Sequence, residues 1–200
     1  MGAPPTLGSV PVDTVKPSPP DSSIIRHLEP LEDSSDVLLD SVSPAVVYPS
    51  DIDALRAQSP VVPVSGVSTK ELIDSFGDKR GQARQHNALD IMAARNTPAV
   101  AATAGTVLRL HNSTAGGLSI YLKDRTSRFI FMYGHLDSYR PGLVEGAAVR
   151  RGEIIGFVGT TGNASPQAPH LHFQVMRSDD PKSWWRGTPI NPYLIYQPAG

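Results

Sequence analysis

From residue 78 onward, short runs of apolar and β-branched residues alternate with polar ones and are cut by glycine. This predicts β-strands over residues 97–102, 106–110, 118–122, 129–133 and 153–158, with turns at Ala104-Gly105, Gly116-Gly117, Arg151-Gly152 and Thr161-Gly162-Asn163. Within 118–122, Leu118, Ile120 and Leu122 fall on one face and Ser119 and Tyr121 on the other, the pattern of a strand with one buried side. Residues 129–133 are apolar on both faces and read as a central strand. A last strand spans Pro169-His170-Leu171-His172-Phe173-Gln174-Val175. Its two histidines share a face, while Leu171 and Phe173 point the other way, into a core. The fold class expected is mostly β: an antiparallel sheet or barrel-like sandwich of short strands.

The first part of the chain has a different pattern. Residues 1–43 hold no Phe, Trp or Tyr, seven prolines, and seven acids against Lys16 and Arg26. Such a segment buries too little apolar surface to offset its ordering entropy. It reads as a disordered acidic arm, with residues 44–200 as the domain and its core at about 61–197. His27 reads as a solvated linker residue. A short helix is expected over 51–56 with Ser50 as its cap, and a helical turn within 69–76 ended by Gly77. Trp184-Trp185 reads as packing under the tail 189–196, with a sugar-stacking platform as the alternative.

Composition narrows the classes. A net charge of −1 over 200 residues gives no basic surface for nucleic acid. The arm carries −5 and the remainder +4, so the arm is suited to fold back over a mildly basic cleft. The absence of cysteine excludes disulfides and thiolate metal sites. No apolar run reaches the length of a membrane span. No basic and apolar export signal opens the chain, and the Pro-rich start reads as the truncated remainder of a longer protein.

The candidate chemistry is in the histidines. His86 and Asp90, four residues apart on a segment entering a strand from a loop, form a His₂Asp set with one histidine of the last strand. Three protein ligands with an open position describe a catalytic zinc site rather than a structural one. Spacing leaves open whether His170 or His172 is that ligand, since both lie on one strand face. His135 ends an apolar strand; His111 does too and reads as structural.

The chain resembles the lysostaphin-type (LytM-domain) zinc metallopeptidases, whose fold is of the duplicated hybrid motif type and which cut peptide cross-links in bacterial peptidoglycan. The resemblance rests on Asp74-Ser75-Phe76-Gly77 with Arg80, His86-Asn87-Ala88-Leu89-Asp90-Ile91, Tyr133-Gly134-His135-Leu136, Gly159-Thr160-Thr161-Gly162-Asn163 and Pro169-His170-Leu171-His172-Phe173. Ala88 departs from the glycine of many members. The resemblance implies one zinc held by His86, Asp90 and His172, with His135 and His170 as catalytic histidines. It implies a peptidoglycan peptide as substrate, and the bacterial envelope or the exterior as location. No glutamate near the motifs offers a base, so Glu145 and Glu153 read as turn residues and the acid–base work falls to histidine. Asn163 is expected to line the cleft, or to be a turn residue in the left-handed conformation. Arg84 is expected to face substrate carboxylates, or to sit on the surface. Alternative functions are a non-catalytic regulator of a cell-wall amidase, a zinc peptidase acting on a non-wall protein, and a carbohydrate-binding β-module.

Overall fold

Among the described residues, the strand pattern resolves into nine antiparallel strands in one sheet. The computed structural model describes residues 49–80, 84–178, 180 and 183–198. The expected arm and His27 lie outside the described residues. In chain order the elements are α1 (Pro49–Arg56), a 3₁₀ turn (Thr69–Glu71), β1 (Lys79–Arg80), β2 (Arg84–Gln85), β3 (Leu89–Met92), β4 (Pro98–Val100), β5 (Gly105–Ser113) and β6 (Gly117–Asp124). There follow β7 (Phe129–Tyr139), β8 (Ala148–Val149), β9 (Ile154–Val158), β10 (His170–Arg177), β11 (Thr188–Ile190) and α2 (Pro192–Tyr196). Strands β1 and β2 form a separate hairpin; the main sheet runs β11-β10-β7-β6-β5-β8, with β3 on β10 and β4 paired to β9, which joins β7. The sheet does not close into a barrel.

The face carrying Leu171, Phe173 and Val175 builds the main core with Phe129, Phe131, Tyr133, Ile120 and Leu122, all at most 1% exposed. Phe131 stacks on Phe173 at 6.1 Å. The other face is covered as well, which corrects the one-sided expectation for β6. Tyr121, Ile130, Met132 and Met176 form a second apolar cluster under Trp184, whose ring meets that of Tyr121 edge-on at 4.6 Å. Trp184 therefore packs, but on the face opposite the main core.

Strand β7 decides where the site lies. Leu118 pairs with Leu136 while Ile120 pairs with Tyr133, so two steps on β6 oppose three on β7. The extra residue is a β-bulge at Gly134-His135, and His135 takes a φ of 57°. A bulge bends its strand and re-aims a side chain. Before it, β7 pairs with β10 as far as Gly134; after it, β7 pairs with β9 through Leu136, Ser138 and Tyr139. His135 sits at that fork.

Helices α1 and α2 pack on each other, and α2 also touches β10. Helix α1 includes Pro49 and Ser50, so Ser50 is its second residue and not its cap. The rigid φ of proline suits the first helical turn. Asp51, 1% exposed, is held by Arg128 and by Arg177 at 3.1 Å. Both arginines keep partial contact with water. Asp51→Ala is therefore expected to cost about 2 kcal/mol, in the range of charged hydrogen bonds, rather than the larger loss of a fully buried pair. A lower urea midpoint with unaltered metal content is the result expected.

Candidate metal centre

The turn 74–77 comes first, because it positions two side chains. The Asp74 carboxylate accepts the Phe76 N–H at 3.0 Å and the Asn191 side-chain amide at 3.1 Å. Asn191 also caps α2 by accepting the Tyr193 N–H, so the C-terminal helix braces this turn. Ser75 then makes two contacts. Its carbonyl accepts from His86 Nδ1 at 2.8 Å, and its Oγ accepts the Asp90 N–H at 2.9 Å. A carbonyl can only accept, so His86 Nδ1 carries a proton and Nε2 is the nitrogen turned to Asp90 and His172.

Antiparallel pairing sets Asp90 of β3 directly across from His172 of β10. Asp90 Oδ1 lies 3.1 Å from His86 Nε2 and 3.2 Å from His172 Nδ1, and those two nitrogens are 3.1 Å apart. One ligand atom from each of His86, Asp90 and His172 therefore gathers within 4.8 Å, a set able to hold a metal ion. Acceptor atoms this close repel one another unless a proton or cation lies among them. The other Asp90 oxygen, Oδ2, accepts from Arg80. Burial works to raise the Asp90 pKa, but hydrogen bonds from His172 and then His86 outweigh it and hold the carboxyl well below the usual range. Asp90 is ionised at neutral pH.

His135 and His170 stand beside this set. The ring of His135 is 4.9 Å from that of His170 and 5.4 Å from that of His172. His135 Nδ1 bonds to the Thr161 carbonyl at 2.8 Å, and His170 Nδ1 to the Ala168 carbonyl at 2.8 Å. Each therefore carries a proton on Nδ1, leaving Nε2 as the nitrogen the ring offers to the cleft. His170 Nε2 is 3.7 Å from Asp90 Oδ1, farther than His172 Nδ1. Burial, with the His172 ring next to it, pushes the His135 pKa down to about 4, so His135 is neutral at pH 7.

These residues line a cleft of about 480 Å³. Asn163 lines it as expected, but the left-handed backbone of that turn belongs to Gly162 (φ 73°) and not to Asn163. Arg84 lies in β2 opposite Arg80; its side chain falls outside the described residues. Arg80 is the one Lys or Arg among the described residues lining the cleft. Glu145 accepts the Leu110 N–H at 3.0 Å and Glu153 the Arg150 N–H at 2.8 Å, both away from the cleft. His111 packs near Trp184, its ring 5.3 Å away. Sequence reasoning missed the bracing roles of Ser75 and Thr161. Both lie in motifs that were legible, but each acts partly through its backbone carbonyl, which leaves no mark in residue type, and through a hydroxyl whose partner lies far off in sequence.

A model of Peptidase family M23 matches residues 84–192. The L-Ala–D-Glu endopeptidase of Bacillus subtilis (strain 168) is 28% identical over 117 residues, 55% of this chain and 36% of that protein. The peptidoglycan DD-endopeptidase ShyC of Vibrio cholerae is 31% identical over 96 residues, 48% of this chain and 21% of that protein. The chain thus spans well under half the length of either relative. Among solved structures, the catalytic domain of the antimicrobial peptidase lysostaphin from Staphylococcus simulans superposes with a TM-score of 0.53 at 29% identity, covering 62% of this chain and 90% of that one.

Proposed function

Since the chain belongs to Peptidase family M23, we propose that it is a zinc metalloendopeptidase that hydrolyses peptide bonds in peptidoglycan cross-links. The observation that carries the proposal is the convergence of His86 Nε2, Asp90 Oδ1 and His172 Nδ1, with two further histidines presenting Nε2 beside them. The donor set fits zinc: two imidazoles and a single carboxylate, with no thiolate in the chain. His86, Asp90 and His172 would hold it. Bound there, zinc supplies Lewis acidity, polarising a carbonyl and making water acidic near neutral pH.

The protein's own groups do the rest. Asp90 contributes a fixed negative charge, braced by Ser75 and Arg80. His135, neutral and with Nε2 unprotonated, takes a proton from water and gives it to the leaving amine. His170, held by the Ala168 carbonyl, orients the attacking water. Asn163 and the small residues Ala115, Gly116 and Ala164 wall the cleft and admit an extended peptide with small side chains. The enzyme acts in the bacterial envelope or outside the cell. No helix among the described residues is long and apolar enough to cross a membrane. A regulator without activity has no need of all five groups, and all five are present and gathered.

The test is digestion of purified peptidoglycan, with mass spectrometry of the fragments. Release of peptide-linked fragments that a chelator abolishes and added zinc restores is the outcome expected. Weak zinc uptake without any released fragment would leave the regulator reading in its place, and stoichiometric zinc without one a peptidase with a non-wall substrate.

A further inference from the structure

The loop after β9 crosses the turn between β5 and β6 at very close range. A Cβ added to Gly162 would lie 2.4 Å from the Ala115 carbonyl oxygen, and one added to Gly117 2.2 Å from Thr161 Oγ1. Both glycines have positive φ, and the Asn163 N–H bonds to the Ala115 carbonyl at 3.1 Å. The crossing delivers Thr161 to the bulge of β7. Its Oγ1 accepts the Leu118 N–H at 2.9 Å and donates to the Leu136 carbonyl at 2.7 Å, bridging residues that are partners across β6 and β7. Its own carbonyl accepts the His135 Nδ1 proton at 2.8 Å, while the His135 N–H is taken by the Gly116 carbonyl at 2.8 Å.

We infer that Thr161 is the positioning residue of His135: its hydroxyl locks the bulge, and its carbonyl, fixed by that hydroxyl, selects the ring tautomer and aims Nε2 into the cleft. A left-handed backbone at a non-glycine residue persists only where the surroundings over-determine it. Here the hydroxyl provides that restraint one residue along, at Leu136. The inference rests on His135 being catalytic, as proposed above.

The test uses the zinc-loaded full chain with Thr161→Val, Thr161→Ser and His135→Ala. Valine keeps the shape and the carbonyl but loses both hydroxyl bonds; serine keeps them. In Thr161→Val, kcat falls by about 10- to 100-fold while KM moves by less than about twofold, the pattern of a misplaced catalytic group. Zinc content is unchanged, and long-range ¹⁵N spectra show the His135 ring losing its single Nδ1–H tautomer. Thr161→Ser restores both kcat and the tautomer. If valine prevents folding, Thr161→Cys, a much weaker hydrogen-bonding group at the same place, substitutes for it and gives a reduced kcat. Wild-type kcat in the valine or cysteine variant, with His135→Ala inactive, overturns the inference. So does a serine variant as slow as the valine one. Full activity in His135→Ala instead overturns the catalytic role of His135, a different failure with a different signature.

Discussion

His172→Ala is expected to purify almost free of zinc and to lose peptidoglycan cleavage, whereas His170→Ala keeps its zinc. Removing one of three ligands leaves two, too few for a stable site. Loss of even an outer partner weakens metal binding by about 10- to 100-fold, so loss of a ligand exceeds that. His86→Ala and Asp90→Ala behave like His172→Ala. The contrast within one strand comes from where each ring is tied. His170 Nδ1 is occupied by the Ala168 carbonyl, and its Nε2 stays 3.7 Å from Asp90 Oδ1. His172 Nδ1 meets both Asp90 and His86 within 3.2 Å. Metal content measured on the two variants together decides the matter. Zinc lost from His170→Ala and kept by His172→Ala reverses the roles; zinc and normal cleavage in both variants removes the active site from this strand.

The second large effect separates catalysis from metal binding. His135→Ala and His170→Ala should keep zinc and fold, yet each should lose about 10²- to 10⁴-fold in kcat, the usual worth of acid–base assistance. His135→Ala has a further signature in the zinc-stripped protein. The folded His135 pKa, about 4, lies below the ordinary value of 6.5. As pH falls through 6.5 the unfolded chain takes up this proton and the folded one does not, so stability drops until pH reaches about 4. His135→Ala lacks that contribution. Its stability should therefore decline less steeply than wild type between pH 6.5 and 4, as followed by urea melts. Parallel declines in the two proteins would show that His135 is not held neutral by burial.

Much of this protein was legible in the residues alone. The period-two alternation located the strands and set His170 and His172 on the face opposite Leu171 and Phe173, because side-chain direction in a strand is a local property. The residues able to hold a metal, His86, Asp90 and His172, could be picked out by type too, since a metal set demands imidazole and carboxylate groups. What local pattern could not reach was anything made by pairing. That β6 is covered on both sides depends on Trp184 arriving from more than fifty residues away in sequence. That His135 enters the cleft depends on β7 carrying one residue more than β6, a register difference visible only when the two strands are set side by side. That His172 rather than His170 faces Asp90 depends on the β3–β10 register and on which carbonyl claims each ring. Residue types and their periodicity determined the sheet and the chemical inventory. The long-range hydrogen bonds of the folded chain, from Ser75, Thr161 and Ala168, decided which nitrogen of His86, His135 and His170 points at the centre, because a ring tautomer is set by its partner and not by its neighbours in sequence.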